Sequence, residues 1–382
     1  MRRRPTLLWW VSAVAALLAA ACDQGSGAKS RALTSIKVVI ADYSKDHTRP
    51  FWQSLSEAYT KQTGIKVDLQ VVDWNSIDQQ VTTMIQNNQP PDVLNLNAFS
   101  SYAKDGLLHS ADEVLSPRTR EDFLPAFVRG GEYQGKLYGF PILSSARAFF
   151  YNRDLLARAG VAAPPRTWDE LVTAARRVRA LGADTIGYAL PLGPEEAQAE
   201  WAIWMWNNGG DWKSGDQWAD GAFQLFKDGK VGMVMGFSPL AKQLDAEGKI
   251  QYAVAEMPTN IGTAVTLAVE DYLMAFKKPG NADAVKTFLD LYYQPETITR
   301  WIRAEGFLPV TRSGLEQMRA DPGLKPYLDA LPSAKLAPTI DPAWDKVKLD
   351  VQQTIGLAVQ PGGNPKQVLD RLQHNAAAAG GR

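Results

Sequence analysis

The chain has 382 residues, 45% hydrophobic, 21% charged and 10% aromatic, a globular composition at a length that suggests two domains. Its 41 basic and 41 acidic residues leave no net field for a phosphate backbone, which argues against nucleic acid as a partner. Three histidines and one cysteine exclude an intrachain disulfide and argue against a zinc centre or thiol chemistry.

Arg2, Arg3 and Arg4 precede an uncharged apolar run from Leu7 to Ala21. The run is too short to span a hydrocarbon core of about 30 Å but suits a signal peptide. Ala19-Ala20-Ala21-Cys22 resembles a bacterial lipobox, with Ala19 where leucine is usual. Residues 1–21 then form a lipoprotein signal peptide, Cys22 carries the lipid, and the Gly/Ser-rich 22–34 is a flexible tether. A plain secretory peptide with an incidental cysteine is the alternative. The folded body is expected outside the cytoplasm, anchored to the bacterial cell membrane.

From Ile36 the pattern alternates. Ile36 to Ala41 reads as a strand, and Phe51, Trp52, Leu55, Ala58 and Tyr59 recur at helical spacing. Ile65, Val67, Leu69 and Val71 alternate as a second strand. A helix through Ile77, Val81 and Ile85 and the break at Pro90-Pro91 lead to a buried strand, Val93 to Leu96. That order predicts a parallel α/β sheet with ligand sites beyond the carboxyl ends of its strands. Similar elements follow residue 145: a helix from a Thr167…Glu170 capping box to Gly182, a strand Thr185 to Leu190, and a helix Glu195 to Trp206. A strand Val231 to Met235, a helix Pro239 to Ala246 and an extended run Ala264 to Phe276 come next, with helices filling most of the remainder.

Phosphate-loop, zinc-protease, dinucleotide and nucleophile-elbow motifs are missing, so no cofactor and no metal is expected. Glu270-Asp271 or Glu195-Glu196 would serve a glycosidase only if two carboxylates faced each other across a cleft. Five tryptophans, Trp201, Trp204, Trp206, Trp212 and Trp218, cluster around Asn207-Asn208-Gly209-Gly210-Asp211. A flat indole with a polar edge suits a sugar ring, although Trp201 and Trp204 equally fit the core face of a helix.

Several segments in order resemble the type-1 extracellular solute-binding proteins of carbohydrate ABC transporters. They are Gly64-Ile65-Lys66-Val67, Pro91-Asp92-Val93, and Gly135-Lys136-Leu137-Tyr138-Gly139-Phe140-Pro141. Tyr151-Asn152-Arg153-Asp154-Leu155 with Pro165-Arg166-Thr167-Trp168-Asp169-Glu170-Leu171 is the most specific pair, followed by Phe226 to Met233 and Leu308-Pro309-Val310. The resemblance covers about residues 35 to 375. One departure is the stretch Trp212 to Lys230, shorter than the family usually carries there.

The resemblance implies a two-lobed periplasmic-binding-protein-like α/β fold with a hinge and discontinuous lobes. The first lobe would be 35–143 and 264–309, the second 147–260 and 312–376, crossing near Leu143-Ser144-Ser145, Gly262-Thr263 and Pro309-Val310-Thr311. Such a protein is expected to capture a sugar, oligosaccharide or polyol reversibly as a monomer and to work with separate permease and ATPase chains. The rival is a carbohydrate-processing enzyme on the same scaffold.

Ligand-binding candidates follow from the strand-end rule. The first lobe offers Tyr43 and His47, Asp73 and Trp74, and Asn97 and Phe99. Ser145 and Arg147 lie at the hinge, and Trp204, Asn207, Asp211, Trp212 and Ser238 come from the second lobe. Glu270 and Asp271 interrupt an apolar run, where a carboxylate is costly unless hydrogen-bonded; one is expected on the ligand, the other solvated or paired with an arginine such as Arg303.

Overall fold

The computed structural model describes residues 33–190, 197–207, 231–330, 334–359 and 362–379. The signal peptide, Cys22, Asp211 and Trp212 lie outside these residues. Eleven strands are described: β1 Ser35–Ala41, β2 Lys66–Val72, β3 Val93–Leu96, β4 Glu132–Tyr133, β5 Lys136–Leu137 and β6 Phe140–Asn152. Later in the chain come β7 Ile186–Tyr188, β8 Val231–Phe237, β9 Tyr252–Ala255, β10 Thr266–Ala275 and β11 Ala334–Leu336.

The first three strands pair in parallel, with β1 between β2 and β3, as strand–helix alternation requires. Val38, Val39 and Ile40 are fully buried because helices cover both faces of such a sheet. The helix Thr48–Thr63 ends at Gly64, whose φ of 75° lets its N–H turn back onto the Thr60 carbonyl at 2.8 Å.

The sheet is mixed rather than parallel. β10 runs antiparallel to β3 and to β6, and β6 runs antiparallel to β8 and β9. The parallel order predicted from the first elements holds for β1, β2 and β3, and the antiparallel pairs enter where the two long strands β6 and β10 connect two groups of α/β units. The 13-residue β6, buried along nearly its whole length, pairs with β10 through Phe140–Ala146 and with β8 through Arg147–Tyr151. Ser144 also exchanges backbone bonds with Leu308, at 3.1 and 2.7 Å. A register shift between Asp271 and Tyr272 marks a bulge in β10.

The helix Trp168–Arg179 shows a modified capping box. Thr167 Oγ1 accepts from the Glu170 N–H at 3.2 Å, but Glu170 Oε2 accepts from the Arg166 N–H at 2.7 Å, one residue before the cap. One hydrophobic cluster joins Phe149, Val178, Ile203, Trp206, Met233 and Trp344; another joins Val39, Leu94, Phe99 and Tyr272.

Candidate functional site

The loop after β1 is fixed by Thr48 Oγ1, which accepts from the N–H groups of Tyr43 at 3.0 Å and Ser44 at 2.9 Å. The Tyr43 ring meets Trp74, Trp301 and Phe307 edge-on, with centroids 5.3–5.8 Å apart. Its hydroxyl lies 2.9 Å from Asp271 Oδ2 and 3.0 Å from Asn95 Oδ1. Burial first, then the Asp271 charge, raises the phenol well above its usual range. Three sequence candidates, Tyr43, Trp74 and Asp271, thus form one cluster.

Other candidates have structural roles. Asp73 is exposed and caps the helix Trp74–Gln86, accepting from the Asn75 N–H at 2.9 Å. His47 is exposed, and Phe99 is buried edge-on against Tyr272. Asn207 is fully buried and bonds the backbone of Ile203 and of Val265 through both ends of its amide. It ties the end of the helix Ala197–Trp206 to the start of β10. Trp204 donates to Glu200 Oε1 at 2.8 Å and meets Trp168 and Tyr188 edge-on, a partly buried packing role. The Arg303 guanidinium donates to the Gln317 carbonyl at 3.2 Å instead of pairing with Glu270 or Asp271. Ser145 is buried on β6, and the Arg147 guanidinium covers the Phe237 ring at 4.4 Å beside buried Ser238.

A cavity of about 30 Å³ lies beside β10, lined by Asn97, Glu270, Tyr272, Thr339, Trp344 and Lys348 with aliphatic neighbours such as Leu267 and Leu336. Lys348 Nζ donates to Asn97 Oδ1 at 2.9 Å, joining the helix Trp344–Thr354 to the loop after β3. Glu270 Oε2 accepts from the Tyr272 hydroxyl at 2.6 Å, while Oε1 is buried without a hydrogen-bond partner. Burial pushes the Glu270 carboxyl up to about 8, reinforced by the Asp271 charge and opposed by the Tyr272 bond and Arg129. Desolvation thus favours the neutral acid at Glu270 near neutral pH, where the sequence suggests a charged acceptor at Glu270 or Asp271.

Asn97 and Glu270 are the sequence candidates that reach this cavity. Tyr272, Thr339, Trp344 and Lys348 were not anticipated. The one available signal was Asp341-Pro342-Ala343-Trp344, a tryptophan at a helix start with Lys348 one turn on.

Among the described residues no group of three or more His, Cys, Asp or Glu is placed to hold a metal, and no helix is long and apolar enough to cross a membrane.

Two α/β groups are thus bridged by long antiparallel strands, with a largely apolar cavity carrying a few polar groups beside β10. The chain belongs to the bacterial extracellular solute-binding protein family, whose model matches residues 44–298. It is 27% identical over 374 residues to a binding protein of Brucella abortus (strain 2308), covering 87% of this chain and 90% of that one. It is also similar to the structure of an ABC transporter solute-binding protein from Thermotoga lettingae bound with α-D-tagatose. The TM-score is 0.76 at 18% identity, over 91% of this chain and 99% of the other. The cyclic α-maltosyl-1,6-maltose binding protein of Arthrobacter globiformis matches with a TM-score of 0.69 at 20% identity, over 90% and 99% of the two chains. The fold is that of the two-lobed periplasmic binding proteins.

Proposed function

We propose that the chain is the extracytoplasmic solute-binding subunit of an ABC importer, taking a sugar, oligosaccharide or polyol between its lobes. The observation that carries this reading is the cavity at β10, where hydrogen-bonding groups of Asn97, Glu270, Thr339 and Lys348 meet the indole of Trp344. Apolar walls with a few convergent polar groups suit a ring with an apolar face and a hydroxyl rim. A structural neighbour bound with α-D-tagatose and another named as a cyclic α-maltosyl-1,6-maltose binding protein support the same ligand class.

The proposed lobes are 35–143 with 264–309 and 147–260 with 312–376. Lys348 to Asn97 then crosses between lobes, as do the bonds from Lys242 Nζ to the Arg303 and Ala304 carbonyls. A cavity of about 30 Å³ admits a water-sized group and not a sugar ring, so entry requires these contacts to part. The ligand then restores the closed form through contacts the open form lacks. Permease and ATPase are assigned to separate chains, and the receptor acts as a monomer without catalytic groups.

A thermal-shift screen of sugars and polyols, run beside a product assay, tests the reading. Stabilisation by a sugar recovered intact is expected; turnover of that sugar would replace it with the carbohydrate-processing enzyme. With the sugar identified, Trp344→Ala should weaken binding by about 2 kcal/mol, roughly thirtyfold. Unchanged calorimetric affinity in a folded variant would move the site elsewhere.

The reading includes anchorage by lipid on Cys22, supported by the leader and the Ala-Ala-Ala-Cys junction. Two acyl chains on the cysteine would hold the protein stably at the membrane, where one would be marginal. Cys22→Ala should move the protein from the membrane fraction to the soluble extract. Persistent membrane association of that variant would defeat the lipoprotein assignment.

A further inference from the structure

Among the described residues Glu270 is a buried acid that accepts from one hydroxyl and from no backbone N–H or cation. Asp92 accepts from the Lys37 N–H and the Lys278 ammonium, both at 2.8 Å, and from Asn281. Glu200 accepts from Tyr188 and Trp204, and Asp271 from Tyr43. Glu270 is 3% exposed and has one bond, from the Tyr272 hydroxyl to Oε2. Among the described residues no ammonium or guanidinium forms an ion pair with it.

The groups around it are few. Asp271 follows it on β10 and is bonded to Tyr43; Lys348, on the helix Trp344–Thr354, is bonded to Asn97. Arg129, on the helix Pro125–Gly130, is exposed. Thr339, after β11, is uncharged and bonds the Gly130 carbonyl at 3.3 Å. Gly130 closes the Oε2 side: a Cβ there would sit 2.1 Å from that oxygen.

An unpaired carboxylate in such surroundings is costly to keep charged, a cost that a proton removes. Because the Tyr272 hydrogen points at Oε2, that proton belongs on Oε1, which then becomes a donor.

We propose that Glu270 meets the ligand as a neutral carboxylic acid, donating from Oε1 to an uncharged oxygen acceptor. The cavity then selects neutral sugars presenting an ether, glycosidic or carbonyl oxygen over cationic amino sugars. This rests on the sugar-receptor reading above. Burial raises the Glu270 carboxyl in the direction the assignment requires.

Infrared difference spectra of the unliganded protein against Glu270→Gln at pH 6 test the protonation directly. A C=O stretching band of a protonated acid is expected in the parent, shifted in D₂O and disappearing as pH rises through 8. Tyr272→Phe should move that band to higher frequency by removing its hydrogen bond. A parent spectrum without the band at pH 6 would overturn the proposal whatever the ligand.

Binding of D-tagatose, N-acetyl-D-glucosamine and D-glucosamine, followed by thermal shift and calorimetry, tests the selectivity. Affinity for a neutral sugar should fall about tenfold per pH unit above pH 8 in the parent and stay level in Glu270→Gln. Tighter binding of D-glucosamine than of N-acetyl-D-glucosamine would overturn the selectivity. If a broad sugar panel fails to stabilise the protein while the infrared band is present, the receptor reading falls and the neutral acid stands.

Discussion

Trp52→Ala should lower the free energy of unfolding by about 3–5 kcal/mol, toward the lower end of that range. Trp52 is fully buried and stacks on Tyr292 with centroids 5.0 Å apart and planes 10° from parallel. Phe51 and Trp301 meet it edge-on at 5.6 and 5.9 Å, and Phe288 stacks at 6.4 Å. Truncation empties a space between the helices Thr48–Thr63, Ala282–Tyr292 and Pro295–Glu305, which a close-packed interior cannot refill. The buried Trp52 Nε1–H has no acceptor, and removing an unsatisfied donor offsets part of the loss.

The effect should reach the site. Thr48 begins the same helix, bonds Glu305 at 2.8 Å and fixes the backbone of Tyr43. Urea unfolding gives the stability change and calorimetry the affinity. A loss below about 1 kcal/mol would mean that this stack is not the core of its region.

Before residue 100 the second strand and the first helix were legible by their periods, and β3 as a short apolar run after Pro90-Pro91. Alternation in Ile65 to Val71 marks the half-buried side of β2, and helical spacing in Phe51 to Tyr59 marks the face that buries Trp52, Leu55 and Tyr59. β6 was not legible as a strand shared between two groups, since burial along nearly its whole length erases the alternation that marks a face. Glu270 and Asn97 could be reached from the sequence, one by its cost in an apolar run and the other by its place after a strand. Their surroundings could not. Trp344 and Lys348 come from a helix that begins 69 residues after the end of β10, brought to the cavity only by tertiary packing. Asn207 is ambiguous in the sequence for the opposite reason: a side chain rich in hydrogen-bonding groups at a helix end is as useful to the backbone, which it bonds here, as to a sugar.

Glu270→Gln should be progressively stabilised relative to the parent as pH rises from about 4.5 to about 8. In the unfolded chain this carboxyl ionises near 4.3, whereas burial in the folded chain pushes it up to about 8. Between those values the unfolded chain binds fewer protons than the folded one, so parental stability falls with rising pH, at up to about 1.4 kcal/mol per unit. Below pH 4 both forms are neutral and the difference is constant; above pH 8 both are ionised and it is constant again. The full change is on the order of a few kcal/mol. Glu305, pushed up to about 7 by burial and held by Thr48, adds a slope of the same sign, but it is present in both proteins and cancels in their difference. Urea unfolding of the two proteins from pH 4 to pH 9 reads this difference. Stabilities that run parallel across the range would show that Glu270 ionises in the folded protein as it does in water.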